Sequence, residues 1–227
     1  MNIYEKEFDF VIERAKALRR PARMVVAGAD TENILDAVFI AQEQGFCKPV
    51  LVGEEAKILA TLEKLGLKDR QYQLCAIAEG ENVVQHAIDV INVGMGDVLV
   101  RGNTSTRDFL MPILNKANKM VRSNPISEVS LIKVPYYDKV LALSDVSVVI
   151  EPSVEQRKRI ICNLVEVLNT LGIKHPNVAV LSLVEKPSFH MRDTVEAQTI
   201  ARAHAQEPIA DCEVVVFTSD FSYVKLF

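Results

Sequence analysis

Short apolar runs alternate with helix-length amphipathic segments through the first half of the chain. The apolar runs cover residues 23–28, 49–53, 72–77 and 97–100. Between them, apolar residues recur at helical spacing, as at Ile34, Val38 and Ala41, and predict helices over residues 32–46, 55–65 and 82–93. Strands that alternate with helices favour a parallel sheet, and continuous apolar runs indicate strands buried on both faces. We therefore expect an α/β fold with helices on both faces of a parallel sheet.

The pattern changes near residue 125. Three apolar runs, residues 129–135, 139–145 and 146–152, follow one another without helices and predict antiparallel strands or a meander. A helix capped by Ser153 is then expected over residues 155–171. A strand at 177–182 and a helix from Asp193 or Thr194 to about residue 205 follow.

The change of pattern predicts two domains. Residues 1–125 would form the first α/β domain and residues 126–227 the second. One continuous sheet with a long β-hairpin insertion is the alternative that the sequence leaves open.

Composition and charge narrow the class of protein. The 227 residues carry a formal net charge of −4, which argues against a general nucleic-acid-binding face, since such a face is basic. No apolar run is long enough to span a bilayer, and no signal segment follows Met1. Four scattered cysteines without a CxxC pair indicate neither zinc nor a disulfide framework. We expect a cytoplasmic protein with free thiols.

One loop stands out for its chemistry. The run at 98–100 stops at Arg101, and small residues follow it before the next helix: Gly102, Asn103, Thr104, Ser105 and Thr106. In open α/β sheets, ligands bind beyond the carboxyl ends of the strands. Glycine permits close backbone approach, and a helix N-terminus with hydroxyl donors can bind an oxyanion. A simple capped helix, with Ser105 or Thr106 as the cap, explains the same residues.

A second loop, residues 119–130, contains Arg122 and Ser127 around Asn124-Pro125. Arginine can bind phosphate or carboxylate through two parallel hydrogen bonds. A solvent-exposed turn, which Asn-Pro favours, is the alternative.

Common nucleotide and hydrolase motifs are absent from the sequence. There is no Walker A motif, GxSxG elbow or HExxH pair, and the Gly-Ala-Asp turn at 28–30 is too short for a dinucleotide fingerprint.

Several segments taken together resemble the phosphate acetyl/butyryltransferase family, and the phosphate butyryltransferase branch most of all. They lie in family-like order at residues 37–58 (AVFIAQEQGFCKPVLVGEEAKI), 96–114 (GDVLVRGNTSTRDFLMPIL), 126–163 and 171–197. The likeness extends from about residue 3 to about residue 213. It implies a two-subdomain α/β architecture with a parallel or mixed sheet, similar to that of isocitrate and isopropylmalate dehydrogenases.

The resemblance also implies an activity. The family moves an acyl group between coenzyme A and inorganic phosphate, with no metal and with coenzyme A as substrate rather than cofactor. Gly102 to Thr106 would then hold phosphate or the phosphate end of an acyl phosphate, and Arg122 and Ser127 match a second family loop. The expected partners are small molecules, acyl-CoA and phosphate, and a second copy in a homodimer, with no nucleic acid and no membrane.

The resemblance stops short of the whole family pattern. Family members continue for several dozen residues past the place where this sequence stops, and the tail DCEVVVFTSDFSYVKLF lacks their Asp-Gly-Pro-type turn. We therefore expect a C-terminally truncated chain whose catalytic residues are unknown, and a relic that binds coenzyme A or acyl phosphate without turnover is the alternative. An oxidoreductase of the dehydrogenase fold is disfavoured, since no acidic metal ligands or nicotinamide site can be placed.

Overall fold

A computed structural model describes residues 5–122, 124–135, 137–182 and 188–218. By compactness the chain divides into an N-terminal unit, Ile12–Arg122, and a C-terminal unit, Met1–Val11 with Ser123–Phe227. The predicted limits at 125 and 126 lie three residues further on, and as domain limits they stay a prediction. The expectation of an altered tail concerns residues 219–227, which lie outside the described residues.

An ion pair connects the N-terminal part of the C-terminal unit with its later part. Glu7 Oε2 and Lys133 Nζ, both in the C-terminal unit, are 3.4 Å apart. The sequence pattern could not show this grouping, because the two residues are far apart along the chain.

The N-terminal unit alternates strands and helices as predicted. Its strands are β1 (Ala22–Ala27), β2 (Cys47–Gly53), β3 (Gln73–Ala76) and β4 (Val98–Arg101). Its helices are α1 (Asp9–Lys16, which crosses the division), α2 (Glu32–Glu43), α3 (Glu55–Lys64), α4 (Val83–Asn92) and α5 (Thr106–Leu114). All strand pairs are parallel, in the order β3-β2-β1-β4.

Successive residues of β1 and β2 enter two different cores, as the pleat of a strand requires. Val26 and Leu51 pack with the apolar stripes of α2 and α3, around Phe39 and Ile58. On the other face, the alternate strand residues pack with α4, and Phe109 and Ile113 of α5 lie against that core: Val25, Ala27, Val50 and Val52. The sheet is therefore covered on both faces, which confirms the predicted α/β arrangement.

In the part of the C-terminal unit that the structure describes, there are two small sheets. Its strands are β5 (Ser130–Ile132), β6 (Leu141–Leu143), β7 (Asn177–Ser182) and β8 (Glu213–Thr218), and its helices are α6 (Val154–Thr170) and α7 (Arg192–Gln206). β5 and β6 are antiparallel, whereas β7 and β8 are parallel and joined through α7. Ser153 caps α6 in a reciprocal pair with Gln156, as the sequence predicted.

The third strand predicted at 146–152 is wrong. The carboxylate of Asp145 accepts hydrogen bonds from the backbone N–H groups of Ser147, Val148 and Val149. Because these three N–H groups donate to one side chain, they are not available for hydrogen bonds to a neighbouring strand. The apolar residues of this run do not mark a buried strand, since Ile150 is 93% exposed.

None of the helices in the described ranges is both long and apolar enough to span a lipid bilayer.

Candidate functional site

The predicted loop lies where the strand order of the N-terminal sheet reverses. β1 pairs with β2 on one side and with β4 on the other, so the loops after β1 and β4 leave the sheet side by side at its carboxyl edge. Ligands bind outside the carboxyl ends of the strands at such a switch point. We call the segment Gly102–Thr106 the β4 loop.

Two glycines bring the ends of β1 and β4 into contact. The N–H groups of Gly102 and Asn103 donate to the carbonyl oxygens of Ala27 and Gly28, at 2.9 and 2.8 Å. A Cβ on Gly102 would overlap the Gly28 carbonyl oxygen and lie 2.6 Å from that of Ala27. Gly28 has a φ of +83°, and a Cβ there would lie 2.9 Å from the nitrogen of Asn103. No larger side chain fits either position without a backbone shift.

The hydroxyls of the β4 loop have different partners. Ser105 is the N-cap of α5: its Oγ accepts from the Asp108 N–H at 3.0 Å and lies 2.7 Å from Asp108 Oδ2, to which it donates. Thr106 Oγ1 accepts from Arg101 Nη1 at 2.6 Å. Thr104 Oγ1 is buried and has no hydrogen-bond partner among the described residues. Ser105 is thus one of the two caps that the sequence predicted. Thr104 has the β4-loop hydroxyl that makes no hydrogen bond within the described ranges.

A second buried oxygen without a partner lies in the loop after β1. Asp30 Oδ1 makes no hydrogen bond within the described part of the chain, although the Asp30 carbonyl accepts from Thr61 Oγ1 at 3.0 Å. An unsatisfied buried acceptor is costly, so an orphan of this kind indicates a place for a water or ligand donor. Within the described ranges, the loops after β1 and β4 therefore each present one buried oxygen without a hydrogen-bond partner.

Carboxylates of three loops act on one lysine at this edge. The hydrogen bond from Lys57 Nζ to Glu54 Oε1, 2.6 Å long, raises the pKa of Lys57, and the charges of Asp30 and Glu79 raise it further. These carboxylates follow β2, β1 and β3 respectively. Lys57 stays protonated and supplies a positive charge beside Asp30.

Side-chain amides fix the far end of α5. Asn118 exchanges two hydrogen bonds with Gln85 of α4, at 2.8 and 3.0 Å, and also donates to the Pro112 carbonyl at 2.8 Å. Asn118 is 8% exposed. This network holds α5, and with it the β4 loop, against α4.

The second predicted loop lies on the division between the units. Arg122, which is exposed, ends the N-terminal unit, whereas Ser127 belongs to the C-terminal unit. Ser127 Oγ accepts from Asn163 Nδ2 of α6 at 2.9 Å, and the same amide donates to the Pro125 carbonyl at 3.1 Å. The β4-loop residues are contiguous, and the roles of Arg122 and Ser127 in the same site stay a prediction.

Sequence inspection missed Gly28 and Asp30 as site residues. In the sequence, the Gly-Ala-Asp turn is too short for a dinucleotide fingerprint, and Asp30 is explained as a possible cap of the helix that follows. A glycine directly after each of two strands was the available signal, because strands that meet at a switch point need close backbone contact.

Among the described residues, no group of three or more His, Cys, Asp or Glu side chains is arranged to hold a metal ion. That the chemistry needs no cofactor stays a prediction.

A family model described as Phosphate acetyl/butaryl transferase matches residues 79–215. That range contains the β4 loop and covers more than half of the chain. The chain belongs to this family. Within the phosphate acetyl/butyryl transferases, the match begins just before α4 and ends inside β8, so Arg122 and Ser127 also lie within it.

Individual family members are similar over most of this chain. The phosphate butyryltransferase of Clostridium acetobutylicum is 26% identical over 209 residues, which are 92% of this chain and 69% of that protein. The phosphate acetyltransferase of Thermotoga maritima is 27% identical over 192 residues, 85% of this chain and 65% of that protein. The chain thus spans about two thirds of the length of these relatives.

Solved structures support the fold. A branched-chain phosphotransacylase from Enterococcus faecalis superposes with a TM-score of 0.67 at 21% identity, covering 86% of this chain and 79% of that one. A phosphotransacetylase from Streptococcus pyogenes gives 0.73 at 19% identity, with 94% and 72% covered. These likenesses confirm the predicted α/β phosphotransacylase fold.

Proposed function

We propose that this protein transfers a short or branched acyl group, such as butyryl, between coenzyme A and inorganic phosphate. The observation that carries the proposal is the buried hydroxyl of Thr104, which has no hydrogen-bond partner among the described residues and lies in the segment that matches the family, next to the contact of Gly102 with Gly28. Its relatives are named phosphate butyryltransferase and phosphate acetyltransferase, which agrees with this chemistry.

In this proposal the β4 loop binds phosphate. Thr104 Oγ1 donates to a phosphate oxygen, and the N–H groups at the start of α5 add donors and a partial positive charge. Arg101 and Arg107 flank the loop and contribute charge to the anion. Gly28 and Gly102 let the backbones of the loops after β1 and β4 pack directly against each other, which fixes the position of the β4 loop.

The proposed reaction is a direct transfer and forms no covalent intermediate with the enzyme. The thiol of coenzyme A loses its proton to a base, and sulfur attacks the carbonyl carbon of the acyl phosphate. The resulting tetrahedral oxyanion needs donors that are already in place. Its collapse breaks the carbon–oxygen bond and releases inorganic phosphate, and the reverse reaction runs from acyl-CoA and phosphate. Coenzyme A enters as a substrate, and no cofactor is required.

Asp30 is our candidate for the group that accepts the thiol proton. Its Oδ1 is the buried carboxylate oxygen at this edge that makes no hydrogen bond with any described group. Asp108 is less suited to this role, because its carboxylate accepts the hydroxyl proton of Ser105. A general base must reach the proton that it removes, and the loop after β1 borders the β4 loop.

Binding without turnover is the second candidate function. It is favoured by the engaged hydroxyls of Ser105 and Thr106, which leave Thr104 as the one hydroxyl of the β4 loop unpartnered among the described residues. A site with so few available donors would hold a phosphate but stabilise a tetrahedral oxyanion poorly.

A thiol-release assay separates the two functions. The purified chain is incubated with butyryl-CoA, isobutyryl-CoA or acetyl-CoA, with and without phosphate, and free thiol is followed by a chromogenic disulfide. Phosphate-dependent release supports transfer, and the fastest thioester identifies the acyl group. Calorimetric binding of coenzyme A without release supports the second function, and neither release nor binding contradicts both.

The proposal includes a cytoplasmic location and a homodimer. A cytoplasmic location is supported by cysteines that are all free: Cys47, Cys75, Cys162 and Cys212. A homodimer is supported by the exposed apolar residues Leu181 and Val215 on β7 and β8.

A further inference from the structure

A basic cleft lies at the opposite edge of the N-terminal sheet from the β4 loop. It has a volume of about 350 Å³ and is lined by Arg20, Pro21, Arg23 and Lys48. These residues precede or open β1 and β2, so the cleft is at the amino ends of the strands. We call it the amino-edge cleft. Nothing in the proposed acyl transfer uses it.

One carboxylate holds two of the cations in place. Arg20 donates through both Nη atoms to the two oxygens of Asp97, at 2.7 and 2.9 Å. Arg23 donates to the same carboxylate through Nε and Nη2, at 3.0 and 2.8 Å, and its Nη1 donates to the Gly94 carbonyl at 2.5 Å. These bonds fix both guanidinium planes before any ligand arrives, which lowers the entropy lost on binding.

The Asp97 network leaves donors unused. A guanidinium has five N–H groups, and Arg20 uses two of them, so its Nε–H and two outer hydrogens remain. Lys48 lies opposite Arg23 in the register of β1 and β2 and forms no ion pair within the described part of the chain. Its three ammonium hydrogens are therefore available as well.

The charge of the cleft is opposite to that of the chain. Three cations face one carboxylate and give a local net charge of +2, whereas the whole chain carries −4. Asp97 remains ionised, because its hydrogen bonds with Arg20 and Arg23 hold its pKa well below the usual range. The cleft therefore attracts an anion of about two negative charges, which is the charge of a phosphate monoester near neutral pH.

The size of the cleft argues for more than a bare anion. Its volume lies within the range of about 300–1,000 Å³ that small organic ligands occupy. The Pro21 ring and the stems of the two arginines offer apolar surface, and a guanidinium plane can stack on a flat ring. A second cleft of about 370 Å³ shares Pro21 and Lys48, and its other lining residues carry one positive and one negative charge between them: Gln42, Gly45, Cys47, Asp69, Arg70 and Gln71.

We propose that the amino-edge cleft binds an organic phosphate monoester, with its phosphate on Arg20, Arg23 and Lys48 and its organic part against Pro21. This site is distinct from the β4 loop and does not depend on the proposed acyl transfer. Its ligand is a nucleotide or a sugar phosphate, which share the phosphate and differ in the organic part.

Amide chemical shifts of the ¹⁵N-labelled chain test the site. AMP, ribose 5-phosphate, inorganic phosphate and uncharged adenosine are titrated separately at low salt. We expect AMP or ribose 5-phosphate to shift the resonances of Arg23 and Lys48, and adenosine to shift neither. Stronger binding of AMP than of ribose 5-phosphate identifies a nucleotide, and the reverse identifies a sugar phosphate.

Two lysine variants supply the matched comparison. Lys48→Ala removes a cation of the cleft that has no ion pair to lose, and should weaken binding of the ester about tenfold. Lys116→Ala removes an exposed lysine outside the cleft and should leave the affinity unchanged. Equal weakening by both lysine variants overturns the proposal. So do shifts that an ester induces only in residues 101–107, and so does the absence of any shift at millimolar ester. Shifts of the cleft residues with inorganic phosphate but with neither ester also overturn it.

Discussion

Gly102, directly after β4, places its backbone against the end of β1. Its N–H bonds to the Ala27 carbonyl, and the space where a side chain would begin is filled by the Gly28 carbonyl group. The constraint is steric rather than torsional, because the obstacle is backbone of another strand and cannot rotate away.

Gly102→Ala should therefore destabilise the N-terminal unit by about 1–3 kcal/mol, the range for overpacking a rigid site. Phosphate-dependent thiol release should fall with it, since the loop after β4 must shift. Urea unfolding followed by circular dichroism measures the first effect. Asn103→Ala, at an exposed neighbouring position, is the control and should stay within about 0.5 kcal/mol of the wild type. Wild-type stability of Gly102→Ala would contradict the contact.

Substitution of Thr104 should affect phosphate binding without lowering the stability of the fold. Thr104→Val keeps the shape but removes a hydroxyl without a partner among the described residues, so unfolding free energy should be unchanged or higher by up to about 1 kcal/mol. A hydrogen bond to a charged phosphate is lost, so kcat/KM for phosphate should fall about ten- to a hundredfold.

The conservative variant Thr104→Ser retains the hydroxyl and should retain most of the activity. Steady-state kinetics with phosphate as the varied substrate, beside thermal unfolding of each variant, measures both effects. Equal kcat/KM for the valine and serine variants would remove Thr104 from the phosphate site.

At the scale of elements, a histidine clamps the start of the β7–β8 pair. His175 Nδ1 lies 2.8 Å from Asp211 Oδ1, and its Nε2 lies 3.3 Å from Glu213 Oε1. The hydrogen bonds to Asp211 and then Glu213 raise the pKa of His175 above its ordinary value of 6.5. The clamp joins the turn before β7 to the first residue of β8.

The clamp makes stability depend on pH. Below pH 6.5 the imidazole is protonated in the folded and the unfolded chain, and the clamp contributes fully. As pH rises through the raised folded pKa, this contribution is lost, so the unfolding free energy should decrease from pH 6.5 upward. Urea unfolding at several pH values measures the slope.

Substitutions assign that slope to one side chain. His175→Gln should flatten it, whereas His190→Gln, at an exposed histidine of the same unit, should leave it unchanged. An unaltered slope in His175→Gln would show that the clamp is not formed in solution.

At the scale of the whole molecule, the β7–β8 sheet leaves apolar surface uncovered. Leu181 is 65% and Val215 52% exposed, on a sheet of two strands among the described residues. Exposed apolar patches mark contact surfaces, and unpaired strand edges favour association. We expect a homodimer with twice the mass of the 25.3 kDa chain.

Light scattering after size-exclusion chromatography gives the mass. Leu181→Lys combined with Val215→Lys should shift it to the monomer, because buried lysines oppose an apolar contact. Val167→Lys on α6, a 39% exposed position, is the control and should leave the dimer intact. A monomeric wild type contradicts the prediction.

Most elements could be predicted from the sequence, because their signals are local. Ser153 with Gln156 begins α6, and Ser105 begins α5, through side-chain bonds that span only three residues. The apolar periodicity of α2 and α3 follows directly from the face that each helix buries. Residues 146–152 are as apolar as the runs that form β5 and β6, but three of their backbone N–H groups donate to the Asp145 carboxylate. Apolar content alone does not predict these hydrogen bonds.

The sequence by itself determined the α/β class, the succession of strands and helices apart from residues 146–152, the β4 loop and the family to which the chain belongs. Only the tertiary structure decided that Gly28 contacts Gly102, that Thr104 is the β4-loop hydroxyl without a partner among the described residues, and that Arg20, Arg23 and Asp97 form one network. Each of these depends on the parallel register of β1 with its neighbours, which joins residues more than seventy positions apart. Local propensity fixes elements, whereas contacts between distant residues are fixed by how those elements pack.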